Sequence, residues 1–171
     1  PGLVDAHTHL IFGGWRQNEL GLKLHGAGYL DILAAGGGIL STMRATRTAT
    51  QDALFEKAGA ALDEMLHFGT TTVEAKSGYG LNVEDELKCL RVIQKLDETH
   101  VMDVVPTFMG AHAVPPEFQN DRQGYIDLIC REMLPAVKAQ GIAEFCDVFC
   151  EQGVFSAEES AQILEAGSRL G

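Results

Sequence analysis

The stretch that decides the fold is PGLVDAHTHLIFGGWR, residues 1–16. Its apolar, β-rich part, residues 2–9, carries two histidines one residue apart and runs into a glycine-containing loop. Residues i and i+2 of a strand point to the same face, so Asp5, His7 and His9 share one face. Two neutral imidazoles on one face can hold a divalent ion. The pattern alone is a weak signal, because two hydrogen-bonded histidines would have the same spacing.

The rest of the chain repeats one order, a strand followed by a helix. Apolar, β-rich runs predict strands at residues 2–9, 70–76, 102–109 and 144–149. Helical periodicity predicts a helix that ends at Gly69, another capped by Asn82, a third over residues 125–140, and a last one opened by a capping box at residues 156–159 and running to residue 171. Strands that alternate with such helices predict right-handed βαβ units and a parallel sheet.

Four βα units are half of a (β/α)8 barrel, which takes about 250 residues. The predicted fold class is therefore α/β, with residues 1–171 forming the first four βα units of a TIM-type barrel and no second domain. The alternative is a complete, open doubly wound sheet of four strands. Against it, no GxGxxG phosphate loop follows the first strand. The triplet at residues 36–38 lies far downstream, and we expect it to be a loop.

Composition and charge limit the class of protein. The 171 residues are 46% hydrophobic and 22% charged, the balance of a soluble globular protein with one core. No apolar run is long enough to span a bilayer and no signal peptide is seen, so we expect a cytoplasmic protein. A net charge of −11 argues against nucleic acid or an anionic membrane as partner. Four cysteines without a CxxC pair are expected to be buried thiols.

The motif PGLVDAHTH resembles the first strand of the amidohydrolase superfamily, metal-dependent hydrolases built on a (β/α)8 barrel. Within it, the chain is most similar to the imidazolonepropionase family, through the stretches PGLVDAHTHLIFGGWR, YLDILAAGGGILSTMRATR, GTTTVEAKSGYGL and PTFMGAHAVPPEF in that order. The resemblance implies hydrolysis of a cyclic amide C–N bond in histidine degradation, which converts 4-imidazolone-5-propanoate to N-formimidoyl-L-glutamate.

The resemblance also implies roles for five residues. His7 and His9 would be metal ligands, with zinc or iron as the ion, and Arg16, Tyr79 and His112 would surround the substrate. Each residue suits its role, since a guanidinium can hold a propionate by two parallel hydrogen bonds and an aromatic ring can cover a planar heterocycle. From the residues alone, other interpretations stay open: Arg16 could be a solvated loop charge, Tyr79 a loop anchor and His112 a buried histidine.

Other parts of the implied site are not found in these residues. Glu74 and Lys76 share a strand face and are expected to form an ion pair, while the fourth strand run has no lysine, which favours a single metal. The resemblance puts a third metal histidine, the acid/base glutamate and a metal aspartate beyond residue 171. We therefore expect these residues alone to bind metal weakly and to show no useful turnover, and their unpaired strand edges favour a homo-oligomer.

Two other functions stay open at this point. The first is an amidohydrolase or deaminase that acts on another cyclic amide or a nucleobase, because its first strand would look similar. The second is a non-catalytic half-barrel.

Overall fold

The computed structural model describes residues 2–26, 28 and 37–171. Its strands are β1 (Leu3–Thr8), β2 (Thr70–Lys76), β3 (Asp103–Ala111) and β4 (Phe145–Val148). Its helices are α1 (Gln17–Leu24), α2 (Gly38–Thr48), α3 (Gln51–His67), α4 (Val83–Thr99), α5 (Arg122–Leu128), α6 (Leu134–Gln140) and α7 (Ala157–Ser168), and a π-helical turn, Ile129–Met133, joins α5 to α6. The four predicted strands are confirmed, with ends that differ by no more than two residues.

The described strands form one parallel sheet whose strand order follows the chain, β1-β2-β3-β4. Helices lie between consecutive strands, as parallel connections require. The α/β class and the alternation of strands with helices are therefore confirmed.

The two faces of the sheet differ. Val73 on β2 and Val104 and Phe108 on β3 are buried in the apolar core, where α3 packs on β2 and α4 on β3. On the opposite face, Glu74 and Thr107 line an open cavity of about 390 Å³. The alternation of side chains along a strand separates these two environments. One face thus holds the core, and the other is open and carries both charged and apolar side chains.

Local signals define the helix ends. The Asn82 side chain accepts a hydrogen bond from the backbone N–H of Asp85 at 2.8 Å, and Ser156 forms the predicted capping box with Glu159. Gly69 follows α3 with a φ of 94°, a conformation that glycine adopts without steric cost. The longest helices, α3 and α4, have 17 residues each, and no helix in the described ranges has the length and apolarity needed to cross a membrane.

Two sequence-based expectations need correction. Gly36 lies outside the described residues, but Gly38 is the first residue of α2 and Gly37 caps it, so the loop prediction is wrong for Gly38. Glycine is accepted at a cap because it tolerates the non-helical conformation there. The cysteines are free, as expected, but only Cys89 is buried and Cys150 is exposed, because it lies beyond the end of β4.

Candidate functional site

Three aromatic side chains meet at the carboxyl ends of neighbouring strands. His9 follows β1, Tyr79 lies in the loop after β2, and His112 follows β3. The ring centroids of His9 and His112 are 4.8 Å apart, those of Tyr79 and His112 are 4.9 Å apart, and those of His9 and Tyr79 are 5.9 Å apart. The carboxyl ends of parallel strands meet at one edge of a sheet, which explains the cluster.

His7, on β1, and His9, just after it, lie close together, with ring centroids 5.2 Å apart. Thr8, between them, is fixed to β2 twice: its backbone N–H donates to Glu74 Oε2 at 3.2 Å, and its hydroxyl donates to the Glu74 carbonyl oxygen at 2.7 Å. The Nδ1 atom of His9 is buried and has no hydrogen-bond partner among the described residues. The end of β1 is therefore held firmly while one ring nitrogen is left for another ligand.

Burial favours the neutral forms of His9 and His112. It lowers the pKa of His9 to about 4, with the charges of His112, His7 and Lys76 acting in the same direction. Burial also lowers the pKa of His112, although its hydrogen bond to the Gly78 carbonyl opposes this. That bond joins His112 Nδ1 to the carbonyl oxygen at 2.8 Å. Since a carbonyl only accepts, Nδ1 carries the proton of the neutral ring and Nε2 is left as an acceptor.

Arg16 faces the same space as the cluster. A cavity of about 240 Å³ is lined by Arg16, Tyr79 and His9, and a larger one of about 780 Å³ by Arg16, Tyr79 and His112. Burial raises the pKa of Tyr79, and the nearby Arg16 charge opposes this rise. The structure thus brings a cation, a phenol and an imidazole together around space that a small molecule can enter.

The loop that carries Tyr79 is built around Glu86, a residue that the sequence reasoning missed. The Glu86 carboxylate is completely buried and accepts hydrogen bonds from the backbone N–H groups of Gly78, Gly80 and Leu81. One signal was available, because Glu86 precedes Leu90 by four residues and so lies on the buried face of α4. A charged residue in that position needs buried partners.

Lys76 connects the polar side chains of the open face. Its Nζ atom is 2.7 Å from Glu74 Oε1 and 2.9 Å from Asp147 Oδ2, which confirms the expected pair with Glu74. Asp147, on β4, was not singled out in the sequence. Burial raises the pKa of its carboxyl, but the bond from Lys76 and the other favourable interactions outweigh this and leave the pKa lowered. The network ties β2 to β4 across β3.

No group of three or more histidine, cysteine, aspartate or glutamate side chains within residues 2–26, 28 and 37–171 is arranged to hold a metal ion. His7 and His9 are a pair without a third ligand from this part of the chain.

A parallel sheet with polar and aromatic side chains at the carboxyl ends of its strands has the arrangement of a ligand site in an α/β enzyme. Comparison with curated proteins shows which α/β enzymes this chain is similar to. The chain is 60% identical to the imidazolonepropionase of Alkaliphilus metalliredigens over 171 residues, and 57% and 56% identical to those of Streptococcus sanguinis and Thermoanaerobacter pseudethanolicus. These matches cover 100% of this chain but only 40–41% of each relative.

The resemblance to the imidazolonepropionase family is thereby confirmed over the whole chain, which spans about two-fifths of the length of these relatives. No family model matches the chain.

Proposed function

We propose that the full-length protein containing this chain hydrolyses the cyclic amide C–N bond of 4-imidazolone-5-propanoate, giving N-formimidoyl-L-glutamate in histidine degradation. The observation that carries this proposal is the identity of 53–60% to proteins named imidazolonepropionase. The geometry supports it, since His9, Arg16, Tyr79 and His112 surround two cavities that share Arg16 and Tyr79. The partner is then a small molecule with a carboxylate.

The sheet fits half of a (β/α)8 barrel, and we propose that residues 1–171 are its first four βα units in a single domain. The strand order follows the chain, and in the described part of the chain the core residues of β2 and β3 lie on the face against which helices pack. Leu3 and Val4 on β1 are 64% and 68% exposed, which suits an edge strand to be covered by other elements of a longer protein. The open face would then become the interior of the barrel.

His7 and His9 would hold a divalent ion, zinc or iron. The donor set fits, because the rings are adjacent, His9 has a buried ring nitrogen without a partner, and its lowered pKa favours the neutral form that binds metals. When bound, such an ion supplies Lewis-acid activation of water. The remaining ligands would come from residues outside this chain.

The other residues would bind and orient the substrate. The Arg16 guanidinium would hold the propionate through paired charge-assisted hydrogen bonds. The Tyr79 ring would pack on the imidazolone, and its hydroxyl can bond a polar ring atom. His112, whose Nδ1–H is held by the Gly78 carbonyl, would offer Nε2 as acceptor to a ring N–H of the substrate.

Arg16→Gln in the full-length protein tests the substrate assignment. Loss of a charge-assisted carboxylate contact is expected to raise KM for the imidazolone about 10–100-fold, with a smaller effect on kcat. Arg169→Gln is the matched control, because Arg169 is exposed and its ion pair among the described residues is with Glu165, four residues earlier in α7. A variant at residue 16 with unchanged KM would contradict the assignment.

Metal removal tests the reaction class. A chelator is expected to abolish hydrolysis, zinc or iron to restore it, and mass spectrometry to find about one ion per full-length chain. Cytosine and guanine should not be hydrolysed. Activity on a nucleobase without activity on the imidazolone would favour a deaminase instead, and a metal-free, inactive full-length protein would favour a non-catalytic role.

A further inference from the structure

We propose that Glu86 is a positioning residue, whose carboxylate fixes the loop that presents Tyr79 and, through Gly78, sets the ring of His112. The inference rests on the proposed function only for the roles of Tyr79 and His112 as substrate contacts. The positioning of the loop and of the His112 ring by Glu86 involves residues of this chain and does not depend on the reaction.

The Glu86 carboxylate accepts hydrogen bonds from three backbone N–H groups of one loop. The N–H of Gly78 lies 3.0 Å from Oε2 and 3.2 Å from Oε1, and those of Gly80 and Leu81 lie 2.8 Å and 2.9 Å from Oε1. Ser77 also hydrogen-bonds to Glu86, and its hydroxyl oxygen accepts the backbone N–H of Met109 at 2.9 Å. Donors before and after Tyr79 thus converge on one side chain, so the path of the backbone at residue 79 is set from both sides.

The Glu86 side chain is linked to His112 by hydrogen bonds through Gly78. The N–H of Gly78 is held by Glu86, while the carbonyl oxygen of Gly78 accepts from His112 Nδ1 at 2.8 Å. A Cβ at Gly78 would lie 3.1 Å from that Nδ1 atom, and the φ of Gly78 is 96°, so the contact is close and favours glycine. Any movement of Gly78 away from Glu86 therefore changes the orientation and tautomer of the imidazole.

The loop is held in a conformation that it would not adopt alone. Leu81 has a φ of 54°, in the left-handed region that leucine rarely occupies. Arg47, on α2, donates to the carbonyl oxygens of Gly80 at 2.7 Å and Leu81 at 3.2 Å, opposite the N–H groups that bind Glu86. Strained backbone persists where its surroundings over-determine it, and such places cluster at functional sites.

The test is Glu86→Gln in the full-length, metal-loaded protein. The amide keeps the shape and one acceptor, but an NH₂ group in the place of Oε2 would face the N–H of Gly78, which Oε2 accepted. We expect kcat/KM to fall about 10–100-fold, since small displacements of a binding group have effects of this size. Hydrogen exchange of residues 77–81 should accelerate, and ¹⁵N chemical shifts of labelled His112 should show loss of the Nδ1–H tautomer.

Two controls separate positioning from loss of stability. Glu84→Gln changes an exposed glutamate in the first turn of the same helix and should leave all three readouts unchanged. Leu62→Ala lowers the melting temperature from a site in α3 and should leave the His112 tautomer unchanged. If Glu86→Gln does not fold, Ser77→Ala, which removes one bond to the carboxylate, should give the same changes at smaller size.

The outcomes are distinct. Unchanged exchange and an unchanged His112 tautomer in Glu86→Gln would overturn the positioning role even if the enzyme hydrolyses the imidazolone. A fall in kcat/KM that Leu62→Ala reproduces at an equal loss of melting temperature would overturn it as well. A wild-type protein that does not hydrolyse the imidazolone would refute the proposed function, while the exchange and NMR measurements would still decide the structural role of Glu86.

Discussion

Replacing Gly80 by alanine is expected to destabilise the full-length protein, because no room exists for a side chain there. A Cβ at this position would lie 2.5 Å from the backbone nitrogen of Glu86 and 2.6 Å from the carbonyl carbon of Asp85. Both are backbone atoms at the start of α4, so the loop or the helix must move. Forcing extra carbon into packed surroundings costs about 1–3 kcal/mol.

The matched substitution is Gly59→Ala, which we expect to stabilise the protein. Gly59 lies within α3, and the nearest atom to an added Cβ is Leu96 Cδ2 at 3.8 Å, an ordinary contact distance. Alanine is favoured over glycine in a helix interior by about 0.8–1.0 kcal/mol. The free energies of unfolding of the two variants should therefore differ by about 2–4 kcal/mol, although the chemical change is identical.

Urea unfolding of both variants and the wild type, with m-values compared, measures this difference. The midpoint should rise for Gly59→Ala and fall for Gly80→Ala, and hydrogen exchange should accelerate at residues 77–81 only in the second variant. A Gly80→Ala protein as stable as the wild type, with unchanged exchange, would refute the close packing of this loop on α4. A destabilised Gly59→Ala protein would refute the open space beside α3.

Two contacts and one buried side chain predict further measurable effects on stability. The buried Tyr125 hydroxyl donates to the Gly110 carbonyl at 2.7 Å, so Tyr125→Phe should lower the free energy of unfolding by about 1–2 kcal/mol, and an unchanged urea midpoint would count against this bond. The hydrogen bond from Arg122 lowers the pKa of Glu159. This ion pair therefore stabilises the folded protein above the ordinary carboxyl pKa, and the stabilisation disappears as the pH falls through the lowered pKa of Glu159. A double-mutant cycle should give about 0.5–1 kcal/mol at pH 7, because the Arg122 side chain is 41% exposed and screened, and a coupling that persists at about pH 2 would contradict the ion pair. Leu62→Ala should cost about 2–5 kcal/mol in calorimetry, and a loss below about 1 kcal/mol would be incompatible with the complete burial of Leu62.

The strands and several helix ends could be predicted because their signals are local. The run over residues 70–76 and the cap at Asn82 depend on neighbouring residues in the chain, and the structure has both where they were expected. The meeting of His9, Tyr79 and His112 was also predictable in outline, since each follows a strand of a parallel sheet.

The supports of the site could not be predicted in the same way. Glu86 binds backbone N–H groups that become available only once the loop has folded around it. Asp147 reaches Lys76 across an intervening strand, and this contact depends on the register and curvature of the sheet rather than on sequence spacing. The start of α2 at Gly38 was missed because a glycine triplet carries no periodicity.

The strand order of the sheet has a consequence for folding during synthesis. Within the described residues, each strand pairs with the strand before or after it in the chain. β2, β3 and β4 therefore each leave the ribosome after a strand with which they pair. Thr72 on β2 pairs with Asp103 on β3, about 30 residues later. At ribosomal speeds of about 5–20 residues per second, the edge of β2 waits roughly 2–6 s for its partner. The sheet can therefore grow in one direction from β1, and at each stage the newest strand adds one temporary edge to the free edge of β1.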